Sequence, residues 1–193
     1  IIDDLPAARF HAGCRLRFGP DKKLFITTGD AGERENAQDL NKLFGKILRV
    51  NPDGSIPADN PFANSPVWSY GHRNPQGIDW YPGTDIMWET EHGPSGFDGP
   101  GGGDEVNVIV KGKNYGWPIC EGPCFPYNPL YKEPITSLPG TGVQNYAPTG
   151  IMVYTGSQMP ELVNKLIVVG AGSGVLFKGL LKCDLGNAPF YDT

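Results

Sequence analysis

Two stretches of the chain follow one plan, and that repetition restricts the fold more than any other feature. Leu16–Gly29 (LRFGPDKKLFITTG) runs an apolar strand into a Pro-Asp turn and returns as a second alternating strand ending in Thr. Ile78–Gly93 (IDWYPGTDIMWETEHG) repeats the strand–turn–strand, with Trp80 standing 62 residues after Phe18 at the corresponding place. A fainter third copy is Ile151–Gly170. Hairpins recurring at intervals of several tens of residues read as β-propeller blades, each of about four strands and roughly 40–50 residues. At that size a chain of 193 residues makes about four blades. A β-sandwich also spaces short strands regularly. The recurrence favours the propeller.

Composition agrees with an all-β domain. Gly (27) and Pro (19) punctuate short apolar runs instead of gathering in one tail. Further strands are expected at Lys46–Val50, Val67–Tyr70, Glu105–Val110 and Gly174–Lys182. Only Glu33–Leu43 has helical character, worth a turn or two. With 39% apolar and 19% charged residues the chain has the material for a core. Residues 1–193 therefore read as one domain. A net charge of −5 without a Lys/Arg cluster disfavours a nucleic-acid partner or an anionic membrane surface. The longest apolar runs, such as Lys165–Gly170, are far too short to span a bilayer.

Four cysteines occur, and Cys120 and Cys124 share a tight loop, CEGPC. A local disulfide and a pair of free buried thiols are both open; zinc would need a second ligand pair at similar spacing, which the sequence lacks. His11, His72 and His92 all fall at strand ends beside Gly or a Gly-containing turn. A lone histidine is more often structural, but loops at strand ends are where propellers present functional groups, and a neutral imidazole suits a general base. Arg73-Asn74-Pro75 offers a guanidinium beside an amide, suited to a ligand rich in carboxylates and carbonyls or to a neighbouring Asp. Gly93-Pro94 and Asp104-Glu105 supply hard oxygens of the kind calcium takes. Gly170–Gly174 (GAGSG) precedes a strand and not a helix, which rejects a dinucleotide loop.

Several motifs occur in a fixed order: LFITTGDAG (Leu24–Gly32), GKILRVNPDGSIPADNPF (Gly45–Phe62), GHRNPQG (Gly71–Gly77), EHGPSG (Glu91–Gly96), GDEVN (Gly103–Asn107) and GKNYGWP (Gly112–Pro118). Together, over Phe10 to Leu185, they resemble the soluble glucose/sorbosone dehydrogenase family, six-bladed propellers that use pyrroloquinoline quinone and calcium. The resemblance implies that His11 is the general base on the sugar's anomeric hydroxyl and that Asp30 contacts the sugar. It implies that Arg73 and Asn74 hold the quinone, and that Gly93 and Pro94 bind calcium through their carbonyls. Two positions depart from the pattern: Gly172 stands where the family usually has a cofactor-binding lysine, and Phe10 precedes His11 where some members have a polar residue. Six blades need roughly 250–300 residues, so the chain is expected to carry part of a propeller.

The resemblance makes the expected activity oxidation of an aldose to its lactone, with electrons leaving for an external acceptor. The alternative is a binding or interaction propeller, or a fragment, without redox chemistry; the retained His11, Asp30, Arg73 and Asn74 favour the enzyme, and Gly172 favours the alternative. A secreted, periplasmic or cell-surface setting goes with the family and with a disulfide.

Overall fold

A computed structural model describes residues 2, 3, 5, 8–94, 96, 98, 99, 102–138, 146–172, 183 and 184. Among them the regular structure is strand, with single 3-10 turns at Arg34–Ala37 and Pro160–Leu162. The first of these is what becomes of the helical character of Glu33–Leu43. No helix among the described residues is long and apolar enough to cross a membrane.

The strands form three antiparallel meanders. In the first, β1 (Leu16–Phe18), β2 (Leu24–Thr28), β3 (Lys46–Val50) and β4 (Val67–Tyr70) lie side by side in chain order. In the second, β5 (Pro75–Trp80), β6 (Met87–Glu91), β7 (Asp104–Ile109) and β8 (Thr136–Leu138) do the same. In the third, β9 (Pro148–Val153) pairs with β10 (Lys165–Gly170) and β10 with β11 (Cys183–Asp184). The expected strand Gly174–Lys182 lies outside the described residues. Among the described residues these meanders are three blades of a partial β-propeller, where about four were expected of the whole chain.

Turn chemistry sets the hairpins. Between β1 and β2, Asp21 Oδ1 accepts from Lys23 N at 3.0 Å, and Gly19 N donates to Lys23 O at 2.9 Å. Between β5 and β6, Gly83 takes φ +75°, where its missing Cβ removes the steric cost, and Tyr81 N donates to Ile86 O at 2.9 Å. Each blade then packs on the next. Phe25 and Ile47 of the first sheet meet Ile78, Met87 and Ile109 of the second, while Trp88 and Val106, on the second sheet's other face, meet Ile151, Val153, Leu166 and Val168 of the third. Sandwiched on both faces, β6 is buried along its whole length. Ile26, Leu48, Val50 and Val67 fill the first sheet's remaining face under Leu43 and Phe62.

Candidate active site

The site forms where the end of β2, the segment before β1, the β4–β5 connection and the end of β6 are tied by main-chain bonds. Ala31 N donates to His11 O at 3.1 Å and Asp30 N to Arg73 O at 2.8 Å. Gly13 N donates to Asn74 Oδ1 at 3.1 Å, and His92 N to Asn74 O at 3.3 Å. The approach is so close that a Cβ on Gly29 would strike the His11 carbonyl and meet Asn74 Oδ1 at 3.0 Å. His11 itself is held at φ +53°, a region costly for a side chain with a Cβ, and such strain is found preferentially at functional positions.

His11 Nδ1 lies 2.7 Å from Asp30 Oδ1. Trp117 Nε1 donates to Asp30 Oδ2 at 2.8 Å, and Gly32 N to Oδ1 at 2.8 Å. Asp30 is only 1% exposed, its carboxylate enclosed between His11 and Trp117. With Nδ1–H donating to Asp30, the His11 lone pair is on Nε2, 4.0 Å from Asp98 Oδ2. Asp98 also takes Arg73 in a fork: Nε and Nη2 approach Oδ2 at 2.8 Å and 2.7 Å, while Nη1 donates to His92 O at 2.9 Å. Arg73 and Arg34 both stand over the Trp117 ring, 5.5 Å and 4.8 Å from its centre. Burial lowers the His92 imidazole below its usual range, against the opposing charge of Asp104.

Gly93 and Pro94 join this cluster through His92, lining one cleft with Arg73, Trp117 and Glu121. Gly93 N donates to Asp104 Oδ1 at 2.9 Å and Gly102 N to Pro94 O at 3.1 Å. The structure thus brings together His11, Asp30, Arg73, Asn74, Gly93 and Pro94. His72 is not among them: it is fully buried beneath the cleft, its ring stacked 4.7 Å from Tyr115. Gly172 donates its N–H to Tyr146 O at 3.1 Å just past β10. Cys120 and Cys124 are disulfide-bonded, and Cys14 is a free, exposed thiol. Sequence reasoning gave no part to Trp117 or Asp98. Trp117 was inside a quoted motif, GKNYGWP; Asp98 sits in a Gly-rich stretch with no signal of its own.

The family model for glucose/sorbosone dehydrogenase matches residues 1–185. The chain belongs to that family. It is 48% identical over 114 residues to the aldose sugar dehydrogenase YliI of Escherichia coli, a match covering 56% of this chain and 29% of that protein. Over 144 residues it is 38% identical to quinoprotein glucose dehydrogenase B of Acinetobacter calcoaceticus, covering 63% of this chain and 29% of the relative. Its fold superposes on the PQQ-bound aldose sugar dehydrogenase of Streptomyces coelicolor with a TM-score of 0.70 at 36% identity, covering 86% of this chain and 43% of that one. The chain spans less than half the length of these relatives.

Proposed function

We propose that the chain, as part of one propeller domain that includes residues 1–193, oxidises an aldose at the anomeric carbon to a lactone. Pyrroloquinoline quinone and calcium are the proposed cofactors, an external acceptor takes the electrons, and the setting is secreted, periplasmic or cell-surface. Family membership supports sugar dehydrogenase activity; the local geometry supports the finer reading.

The observation that carries it is the Trp117–Asp30–His11 chain ending beside the Arg73 fork. Asp30 fixes the His11 ring with Nδ1 toward its carboxylate, which leaves Nε2 as the nitrogen to take the anomeric hydroxyl proton. The fit of the quinone is supported by Asp98: the Arg73 guanidinium already holds a carboxylate, and a carboxylate-rich ligand suits the same fork. Asn74 adds an amide next to it. For calcium, Gly93 and Pro94 offer main-chain oxygens, the hard donors that ion takes, in a loop too close-packed at Gly93 for any side chain. When bound, quinone and calcium supply the hydride acceptor and the Lewis acid that polarises it.

The test is reconstitution of the full-length polypeptide with quinone and calcium, followed by dye reduction over a panel of aldoses. Aldose-dependent reduction that requires both additions is expected. Quinone binding without turnover on any aldose would favour the propeller as a binding protein, the reading to which Gly172 points.

A further inference from the structure

A second polar cluster is sealed beneath the cleft, between the first two sheets. Alternation along β6 turns Met87, Glu89 and Glu91 to one face. Met87 packs there against Phe25 and Ile47 of the first sheet, so its two acidic neighbours face the same inter-blade space. His72, Glu89 and Glu91 are 0%, 0% and 4% exposed. One ligand-type atom from each lies within 4.8 Å of the other two.

The surrounding bonds are arranged as an outer shell. His72 Nε2 lies 2.9 Å from Ser69 Oγ, Asn107 Nδ2 donates to Glu89 Oε2 at 3.0 Å, and the Arg73 N–H holds Glu91 Oε1. Each residue thus has one atom fixed from outside the trio. The remaining atoms are His72 Nδ1, Glu89 Oε1 and Glu91 Oε2. The first and last are hydrogen-bonded to each other at 2.8 Å, and tetrahedral ligands that each sit about 2.1 Å from one ion are about 3.4 Å apart, so an ion would replace that bond with a small outward shift of the two side chains. Glu89 Oε1 is fully buried without a hydrogen-bond partner, and so is Asn107 Oδ1. The neighbouring Glu105 has both oxygens engaged elsewhere, accepting from Gly122 N and Asn107 Nδ2. Acceptors left over with no donor, among carboxyls buried together, mark a missing positive charge.

We propose that His72, Glu89 and Glu91 bind one divalent transition-metal ion of the zinc class, as a structural tie between the first two blades. Imidazole plus two carboxylates suits such an ion, whereas calcium takes six to eight oxygens. Ser69, Arg73 N–H and Asn107 are its orienting partners, in the manner of ligands held through their far atoms. The site is separate from the Gly93–Pro94 carbonyls, which belong to the loop after β6.

The test uses the full chain carrying Cys14→Ser, so that the exposed thiol takes no metal. The protein is stripped with a chelator, loaded with Zn2+ or Co2+, desalted, and assayed for metal per chain and for Tm. About one equivalent retained, a raised Tm, and visible Co2+ absorption are expected. Glu89→Gln should retain at least tenfold less and show no Tm rise. Should that variant fail to fold, Ser69→Ala removes only an outer partner and should weaken retention about 10-fold or more. No retained Zn2+ or Co2+, or retention unaltered by whichever of the two variants folds, would each overturn the proposal. Glu89→Gln more stable than a parent that keeps no metal would assign the missing charge to a buried proton.

Discussion

Lys46 is fully buried, and its ammonium donates to three main-chain oxygens: Asn36 at 2.7 Å, Ala37 at 3.0 Å and Phe44 at 2.6 Å. It ties the Arg34–Phe44 excursion back onto β3, and Ala37 O in turn accepts from Gly71 N at 2.9 Å, next to the candidate site. Lys46→Met should cost about 3 kcal/mol in chemical denaturation, because three acceptors lose their donor. Burial pushes the Lys46 amine down from 10.5 to about 7, with the Asp39 charge opposing weakly. The folded protein therefore sheds this proton before the unfolded chain does, and the stability due to this group rises with pH between about 7 and 10.5, by at most about 1.4 kcal/mol per unit. The stability difference between wild type and Lys46→Met should grow from pH 7 to pH 9; a flat difference would mean the amine stays charged. His11 makes the companion case. Asn tolerates positive φ better than most residues, so His11→Asn should keep the backbone and lose the base. Turnover in the reconstituted full-length protein is expected to fall about 100-fold or more while quinone binding persists. Unchanged turnover would remove His11 from the chemistry.

The hairpins were legible because alternation and turn residues are local. Leu16–Gly29 and Ile78–Gly93 each became two paired strands joined at the expected turn. Which strand ends meet was not legible from periodicity, since Asp30 to Arg73 and Asp30 to Trp117 are contacts across 43 and 87 positions that only the ordered motifs hinted at. His72 shows the limit: placed like His11 and His92 beside Gly, it turned inward because β6 supplies it a buried carboxylate, which spacing does not reveal. Gly29 tests the junction of elements. Gly29→Ala pushes a methyl into the His11 carbonyl, so the segment before β1 must move away from β2. A loss of about 1–3 kcal/mol is expected, with turnover falling more than stability alone explains. The CEGPC loop is a second element with its own constraint. Closing so short a loop restricts the unfolded chain by about 2 kcal/mol, so the Cys120→Ser, Cys124→Ser double variant should be destabilised by about that amount, measured without reductant. Because Gly122 N in this loop donates to Glu105 at 2.9 Å, the loss should extend to the β7 end of the cleft.

For the molecule as a whole, Gly and Pro content indicated many short strands, and the recurrence indicated blades; the order of packing came from the faces of β6. Met87 looks toward the first blade and Trp88 toward the third, so the middle blade joins two cores that share no residue. A sandwich would instead place both sets in one cluster between two sheets. The distinction is measurable. Met87→Ala empties part of the first interface and Leu166→Ala part of the second, where Leu166 is 0% exposed. Each should cost about 2–5 kcal/mol by lost burial and the cavity left behind. In a stack of blades each interface answers to its nearest neighbours, so the double variant should lose the sum of the two within about 0.5 kcal/mol. Met87→Ala combined with Ile47→Val, which share one cluster, should depart from additivity because each relaxes into the space the other leaves. Coupling above about 1 kcal/mol between Met87 and Leu166 would mean that the two interfaces respond as a single core, and the blade-by-blade account of this structure would not hold.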